Sequence, residues 1–416
     1  MADVPNTVST LNGLFKTVYA DTLIDAVPDY AILQKRVAFN NDDKLGAYYA
    51  QPINLSQECG FTYNGEAGGV ALLSDAVAGQ MKEAQVKGSE LILRGQLTYK
   101  AMAQAASGGK AAFKKATAWK VVDMNNSMRK RLEIAMLYGQ IGVATVLSTA
   151  AADVVSLTPA SWAGGIWAGA ENCYVDVFTA AVAANRLLNA KVSVVNSDNQ
   201  TLTIAGATAG SVAVTDVIFF KGAVLAAGVT PTFNEMAGLQ KIITNTGTLF
   251  NIDASLFSLW KGTSDTSFGQ PSFARFQTSI AKAVNKGLME KVLLLVSPKC
   301  FGVLNSDQAA LRMYDGSYKE SGANQGFESL KFHCTNGPCE IVSHPMVKDG
   351  DAFILPEESL TRIGSLDLSF GLPGTEDQFV QFINGKNVYE VQCMADQAIF
   401  VERPAHAVYI SGITYA

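Results

Sequence analysis

The amino-acid sequence predicts an α+β chain in which one long helix stands among many short strands. Three observations carry that expectation. An apolar stripe runs through Phe113, Thr117, Val121, Met124, Met128, Leu132, Ala135 and Gly139, spaced by threes and fours with no proline between, as one face of a helix requires. Before it, residues 46–97 alternate in character around a glycine-rich middle at Gly65, Gly68, Gly69, Gly79 and Gly88, which reads as two long strands with an irregular tip. After it, residues 143–227 are rich in Ala, Gly, Val and Thr and break into short strand-sized runs, the pattern of a small barrel or sandwich.

The long helix comes first because it organises the rest. At a rise of about 1.5 Å per residue it would span roughly 40 Å, more than a compact domain needs. Lys114, Lys115, Lys120, Asp123, Asn126, Arg129, Lys130 and Glu133 fall on its other side, so it is expected to be one-sided and solvated rather than membrane-spanning. Two strands, at Ala47–Ala50 and Leu91–Tyr99, would precede it. An isolated two-stranded ribbon is marginal in water, so this one is expected to lie on a neighbour. The N-terminal residues read as an arm: Leu11, Leu14, Phe15 and Val18 suggest a helix, and Asp29 to Phe39 an extended stretch.

Beyond the long helix, strands are expected at Tyr174–Phe178, Lys191–Val195, Thr201–Ile204 and Val212–Phe220, separated by turns such as Asn196-Ser197-Asp198-Asn199. From about Ser255 the pattern is mixed. Phe273, Phe276, Ile280, Val284 and Leu288 make a helical stripe, and Val292-Leu293-Leu294-Leu295-Val296 is a continuously apolar, buried strand. Ser297-Pro298 is a helix start, with serine as cap and proline in the first turn. A further helix is expected from Ser306-Asp307 to Tyr314, then an exposed loop over 315–326. Strands follow at Leu330–His333, Cys339–Val342, Ala352–Leu355, Phe379–Ile383, Val388–Cys393, Ala398–Glu402 and Ala407–Ile410.

Composition narrows the functional class. The chain has 416 residues, enough for two or three lobes. Charged residues make up 17% and apolar residues 48%, a sparse charge content that suggests surface covered by other surface. A net charge of −5 argues against a dedicated nucleic-acid binder, though not against a shell that encloses nucleic acid. Met1 to Tyr19 has no basic region followed by an apolar core, so no signal peptide is expected and the chain reads as cytosolic. Six cysteines, Cys59, Cys173, Cys300, Cys334, Cys339 and Cys393, have no framework spacing and suit reduced, mostly buried thiols.

Chemistry-bearing residues are few. His333, Cys334, Cys339 and His344 are zinc-ligand types at loop-compatible spacing. On a strand, however, adjacent His333 and Cys334 point to opposite faces, and Phe332 and Ile341 beside them are core-like. Ordinary sheet residues are the expectation, with a metal site or a local disulfide as alternatives. The histidines, His333, His344 and His406, lie near no nucleophile elbow. Ser107-Gly108-Gly109-Lys110 lacks the leading glycine and the magnesium-binding hydroxyl of a phosphate loop and reads as a joint. Trp119, Trp162, Trp167 and Trp260 read as packing anchors. No catalytic residue, cofactor or metal ligand is assigned, and no enzyme activity is expected.

Three segments resemble a known family. Asn234-Glu235-Met236-Ala237-Gly238-Leu239-Gln240-Lys241-Ile242, trailing into Gly247-Thr248-Leu249, resembles the junction before the outer lobe in major capsid proteins of tailed bacteriophages. Leu295-Val296-Ser297-Pro298 with its short helix resembles the start of that lobe, and Tyr389 to Ile413, with Glu402-Arg403-Pro404, is similar to their C-terminal return strands. Together with arm, ribbon, long helix and β insertion, the order covers nearly the whole chain.

The resemblance implies a Hong Kong 97-type capsid fold with named parts. These are an N-terminal arm (1–45), an extended loop (46–105), a spine helix with the start of the peripheral domain (106–152), a β-rich insertion domain (153–225), peripheral domain (226–254), axial domain (255–385) and peripheral return strands (386–416). It also implies a structural protein that self-assembles into the hexamers and pentamers of an icosahedral phage head around double-stranded DNA. Portal, scaffold and decoration proteins would be further partners, and the virion, assembled in the bacterial host cytoplasm, its location. The alternatives are an encapsulin-type compartment subunit and a soluble α/β enzyme with a β accessory domain. Basic residues on the spine would offer a mild positive face to DNA. Lys82 and Lys87 lie in the ribbon, yet no paired Asn and Glu points to the isopeptide weld of some shells in the family.

Overall fold

The computed structural model describes residues 31–40, 48–66, 68–100, 116–149, 153–208, 210–306, 329–334, 337–371, 380–382, 385 and 387–415. The expected helix at 11–18, that at 306–314 apart from Ser306, the loop at 315–326 and the joint at 107–110 lie outside them. No helix among the described residues is long and apolar enough to cross a membrane.

The arm is the first departure from expectation. Ile32–Arg36 is a short helix where an extended stretch was expected, and only β1 (Phe39–Asn40) is strand. Tertiary contacts hold this turn, because five residues cannot make a stable helix alone. The ribbon is the second. β2 (Tyr49–Asn54) pairs with β3 (Met81–Val86), from Tyr49↔Val86 to Asn54↔Met81. The expected second strand, β4 (Ser89–Thr98), instead pairs with the strand Val388–Val401.

The long helix spans Ala116–Tyr138, 23 residues and about 35 Å. Its stripe residues Met124, Met128 and Leu132 are buried as expected. The expected one-sidedness fails at the C-terminal end, where Leu132, Glu133, Ile134, Met136, Leu137 and Tyr138 are all buried. That end is enclosed by several elements at once. Gly139, just beyond it, meets Gly238 backbone to backbone, with Gly238 N–H donating to Gly139 O at 3.1 Å. A Cβ on Gly139 would lie 2.2 Å from Met236 O, which gives the Asn234–Ile242 segment its small residues.

β5 (Ala144–Thr149), β6 (Val154–Leu157), β7 (Tyr174–Phe178), β8 (Asn185–Asn196), β9 (Thr201–Ile204) and β10 (Val217–Phe220) close into a barrel in the order β10-β5-β6-β9-β8-β7. Closure removes exposed strand edges. The barrel takes in Ala144–Thr149, ahead of the expected boundary at 153. It is tied down where Gly165 N–H donates to Pro345 O (3.0 Å), Asp349 N–H to Trp162 O (2.9 Å) and Gly350 N–H to Ala160 O (2.8 Å). Small hairpins β11 (Val224–Ala226) with β12 (Thr232–Phe233) and β13 (Thr248–Leu249) with β14 (Ile252–Asp253) follow.

The remaining strands are β15 (Thr263–Asp265), β16 (Val292–Val296), β17 (Ser329–Cys334), β18 (Gly337–Ser343), β19 (Ala352–Pro356), β20 (Leu360–Ser369), β21 (Val380–Phe382), β22 (Val388–Val401) and β23 (Val408–Ile410). One sheet runs β15-β23-β19-β16-β18-β17. β16 lies at its centre and buries both faces: Leu293 and Leu295 enter the core shared with the long helix, whereas Val292, Leu294 and Val296 enter a second core under helices Phe273–Val284 and Pro298–Ser306. A strand with two covered faces needs the unbroken apolar run seen in the sequence. Ser297 caps the second helix as expected, its Oγ accepting from Cys300 N–H at 3.2 Å.

The other sheet runs β1-β20-β22-β21, with β4 on the free side of β22. β22 is one 14-residue strand where two separate ones were expected. The sheets also divide the chain differently from the expected lobe boundaries. β20, placed in the axial segment 255–385, belongs to the β22 sheet, and β23, placed among the peripheral return strands 386–416, belongs to the β16 sheet. The physical reason is that β-pairing is non-local, and edge vacancies rather than chain order decide which strands meet.

Candidate assembly surfaces

Three features of the subunit bear on what it can bind. The first is the ribbon tip. Its base is seated, since Leu55, Ala84 and Val86 are buried and Gln85 N–H donates to Phe250 O at 3.0 Å. Beyond Leu55 the two chains are held by Cys59 and Val77, which exchange both backbone hydrogen bonds at 2.9 Å, and by Gln80 N–H donating to Ser56 Oγ at 2.7 Å. Phe61, Tyr63, Val70, Leu72, Leu73 and Val77 then stand exposed, Tyr63 at 96% and Leu72 at 94%. Such a cluster on one projection marks an interaction surface rather than scattered surface apolarity. Its charged residues, Glu58, Glu66 and Asp75, are all acidic.

The second is the strap formed by residues 31–40. Glu133, fully buried on the long helix, accepts from Leu33 N–H at 2.5 Å and Gln34 N–H at 3.2 Å, so a carboxylate meets the unpaired amides of a helix start. His344 donates to the same carboxylate from Nε2 at 2.9 Å, while its Nδ1 accepts from Met346 N–H at 3.1 Å. That pair of bonds selects the Nε2–H tautomer. On the far side, Arg362 is buried and donates to Val37 O (3.0 Å), Gln34 O (3.3 Å), Gln397 Oε1 (3.0 Å) and Asp367 (2.7 Å). Arg36 reaches Glu340 on β18 at 2.7 Å. The strap thus ties the spine to both sheets.

The third is a buried polar knot where the spine ends. Lys348 donates from its backbone N–H to Tyr138 Oη at 2.8 Å and from Nζ to Gly142 O at 2.9 Å, with Nζ 4.1 Å above the Tyr138 ring. Asp351 lies beside Tyr138 and Tyr409, and Gln240 Nε2 donates to Tyr409 Oη at 2.9 Å. Burial pushes Lys348 down to about 8 and Asp351 up to about 6. Every member holds another in place, which suits a rigid joint between elements.

The residues singled out from sequence are scattered. His344 spends both ring nitrogens on Glu133 and Met346. His333 is exposed, whereas Cys334 and Cys339 share a face of the β17–β18 hairpin, where their mutual interaction holds the Cys334 thiol down and pushes the Cys339 thiol up. The four therefore do not converge. Cys300, Cys339 and Cys393 are buried, but Cys59 is exposed at the ribbon tip. Trp162, Trp167 and Trp260 are buried anchors, while Trp119 is 41% exposed. His406 is buried in the turn after Pro404.

Sequence reasoning missed Glu133, which periodicity placed on a solvated face, and Glu390. The Glu390 carboxylate accepts both Arg94 Nε and Nη2 at 2.7 Å and Gln96 Nε2 at 3.0 Å across the β4–β22 pair. The hydrogen bonds from Arg94 and then Gln392 hold it at about 2. The alternation of Arg94 and Gln96 on one face of β4 was the available signal, but its partner lies 296 residues away.

No family model matches the chain, and no curated protein matches it either. Solved structures do. The capsid of a native GTA particle is similar over 99% of this chain and 100% of its own, with a TM-score of 0.53 and 9% identity. The Cyanophage A-1(L) capsid is similar over the same shares, with a TM-score of 0.55 and 10% identity. At such identity the shared property is the backbone path. The chain has the α+β, Hong Kong 97-type fold of these capsid chains.

Proposed function

We propose that this chain is a structural, major capsid subunit that self-assembles into the hexamers and pentamers of an icosahedral phage head enclosing double-stranded DNA. The observation that carries the reading is the ribbon tip: a projection of exposed large apolar side chains on a chain whose whole length follows a capsid fold. Left in water, such side chains each forgo about 1.5–3 kcal/mol of burial. A lattice of copies supplies the missing cover. Within the subunit the strap, the polar knot and the Gly139–Gly238 contact make a stiff body, which suits a role that transmits load and performs no chemistry. Portal, scaffold and decoration proteins are the further partners of this reading, the virion its location and the host cytoplasm its place of assembly. In this reading the barrel, with Ala144–Thr149 added to it, is the insertion domain.

Negative-stain electron microscopy of the purified chain tests the reading. Closed shells or capsomer rings are the expected result, with nuclease-protected DNA in particles recovered from cells. A monomer that stays dispersed at all concentrations would overturn it, and shells filled with a protein cargo in place of DNA would select the compartment alternative.

A further inference from the structure

Asp349 and Gly350, in the turn before β19, divide their backbone groups between two partners. Their N–H groups face the barrel, Asp349 donating to Trp162 O at 2.9 Å and Gly350 to Ala160 O at 2.8 Å. Their carbonyls face Ile413–Tyr415: Gly350 O accepts from Ile413 N–H at 3.1 Å, and Asp349 O accepts from Tyr415 Oη at 2.6 Å. Two residues thus form a bridge, with the barrel on one side and Ile413–Tyr415 on the other. The approach is close on the barrel side, where a Cβ on Gly350 would lie 2.6 Å from Ala160 Cβ. Glycine is what lets the two backbones meet there.

Ile413–Tyr415 is itself fastened along its length. It bridges in parallel to Gly269, whose N–H donates to Gly412 O at 3.0 Å and whose carbonyl accepts from Thr414 N–H at 3.1 Å. The Ile413 side chain is buried in the core under helices Phe273–Val284 and Pro298–Ser306. Tyr415 reaches the start of the second of these helices: its Oη lies 3.1 Å from Ser297 Oγ, the capping group, and Lys299 Nζ stands 4.4 Å from the centre of its ring. The peptide group between Asp349 and Gly350 therefore carries a load at each end. Its C=O holds Tyr415 and its N–H holds Ala160, and hydrogen bonds at the two ends of one amide polarise and strengthen each other.

We infer that Ile413–Tyr415 is a clasp that sets how firmly the barrel is seated on the β16 sheet, with the Asp349–Gly350 peptide as its bridge and Tyr415 as its positioning residue. The barrel closes on its own six strands, so the clasp governs its seat and not its fold. A change at Tyr415 is thereby felt at Ala160 and Trp162, in a different part of the chain. The clasp lies within one subunit and operates whether or not copies assemble.

Amide hydrogen exchange on the full chain, resolved by fragmentation mass spectrometry, tests the clasp. Tyr415→Phe removes the hydroxyl and keeps the ring. The Asp349 and Gly350 amides should then exchange about tenfold faster, the measure of one hydrogen bond, while β6 and β9 inside the barrel exchange as in wild type. The coupling should also run in reverse, as linkage requires. Gly165→Ala would set a Cβ 2.7 Å from Pro345 O, loosening the barrel at a point away from the clasp, and the Ile413 amide should exchange faster in response. Wild-type exchange at Asp349 and Gly350 in Tyr415→Phe would overturn the clasp, as would an Ile413 amide unmoved in a Gly165→Ala chain whose Asp349 amide has quickened. Uniform acceleration across the whole of the Tyr415→Phe chain would overturn it as well, because a general loss of stability would then replace a local seat.

Discussion

Glu133 shows how one buried side chain can hold three elements together. A carboxylate carried into a protein interior is costly unless its acceptor sites are filled, and here two helix-start amides and an imidazole fill them. Glu133→Gln keeps the shape but sets an amide nitrogen against donors. The expected result is a loss of about 1.5–3 kcal/mol in denaturant unfolding, with faster amide exchange at Leu33 and Gln34. Unchanged exchange at those two residues would show that the strap is held elsewhere. Glu390 gives a pH signature. Its folded value lies below the ordinary 4.5, at about 2, because Arg94 and the neighbouring glutamines stabilise the ionised form. Its contribution is therefore complete above pH 4.5 and is lost as pH falls toward 2. Glu390→Gln should flatten the stability profile across that window and leave the slope above pH 5 unaltered, as chemical denaturation at stepped pH would reveal.

At the scale of elements, the long helix owes its stability more to its neighbours than to its own sequence. Its first described turns are partly exposed, with Trp119 and Val122 in water, whereas its last turns are enclosed. Met128 stands at the transition, 1% exposed. Met128→Asp would bury an unpaired charge, and the expected outcome is insoluble protein; recovery of soluble, cooperatively melting protein would show that this stretch is not packed. The ribbon was legible as alternation, but the identity of its strands was not. Both β3 and β4 alternate, and nothing local says that β2 takes β3 while β4 takes β22. The same limit hid the arm helix, since Ile32–Arg36 is helical because Glu133 and Arg362 meet its two ends.

For the whole molecule, residues 31–40 belong to the subunit's own fold as much as to any contact between copies. Deleting residues 1–40 is therefore expected to do two things: prevent shells of uniform size, and lower the melting temperature of the subunit, because Glu133 and Arg362 lose partners while remaining buried. Electron micrographs and differential scanning calorimetry read the two effects separately, and uniform shells from the truncated chain would remove the arm from assembly.

The sequence by itself determined the elements whose signal is periodic and local. These are the long helix from its stripe, β16 from its unbroken apolar run, the Ser297 cap, four of the barrel's six strands and the order of parts that resembles a capsid chain. It also marked the irregular, glycine-rich tip of the ribbon, whereas the exposure of the tip's apolar residues is read from the structure. Only the tertiary structure decided which strands share a sheet, that β4 and β22 form one long ladder, that β23 leaves its chain neighbours for the β16 sheet, and that Glu133 is buried. The physical reason is one of range. Propensity, capping and hydrophobic period act within a few residues, while β-pairing and the neutralisation of buried charge join residues up to several hundred positions apart and are settled by which surfaces remain uncovered.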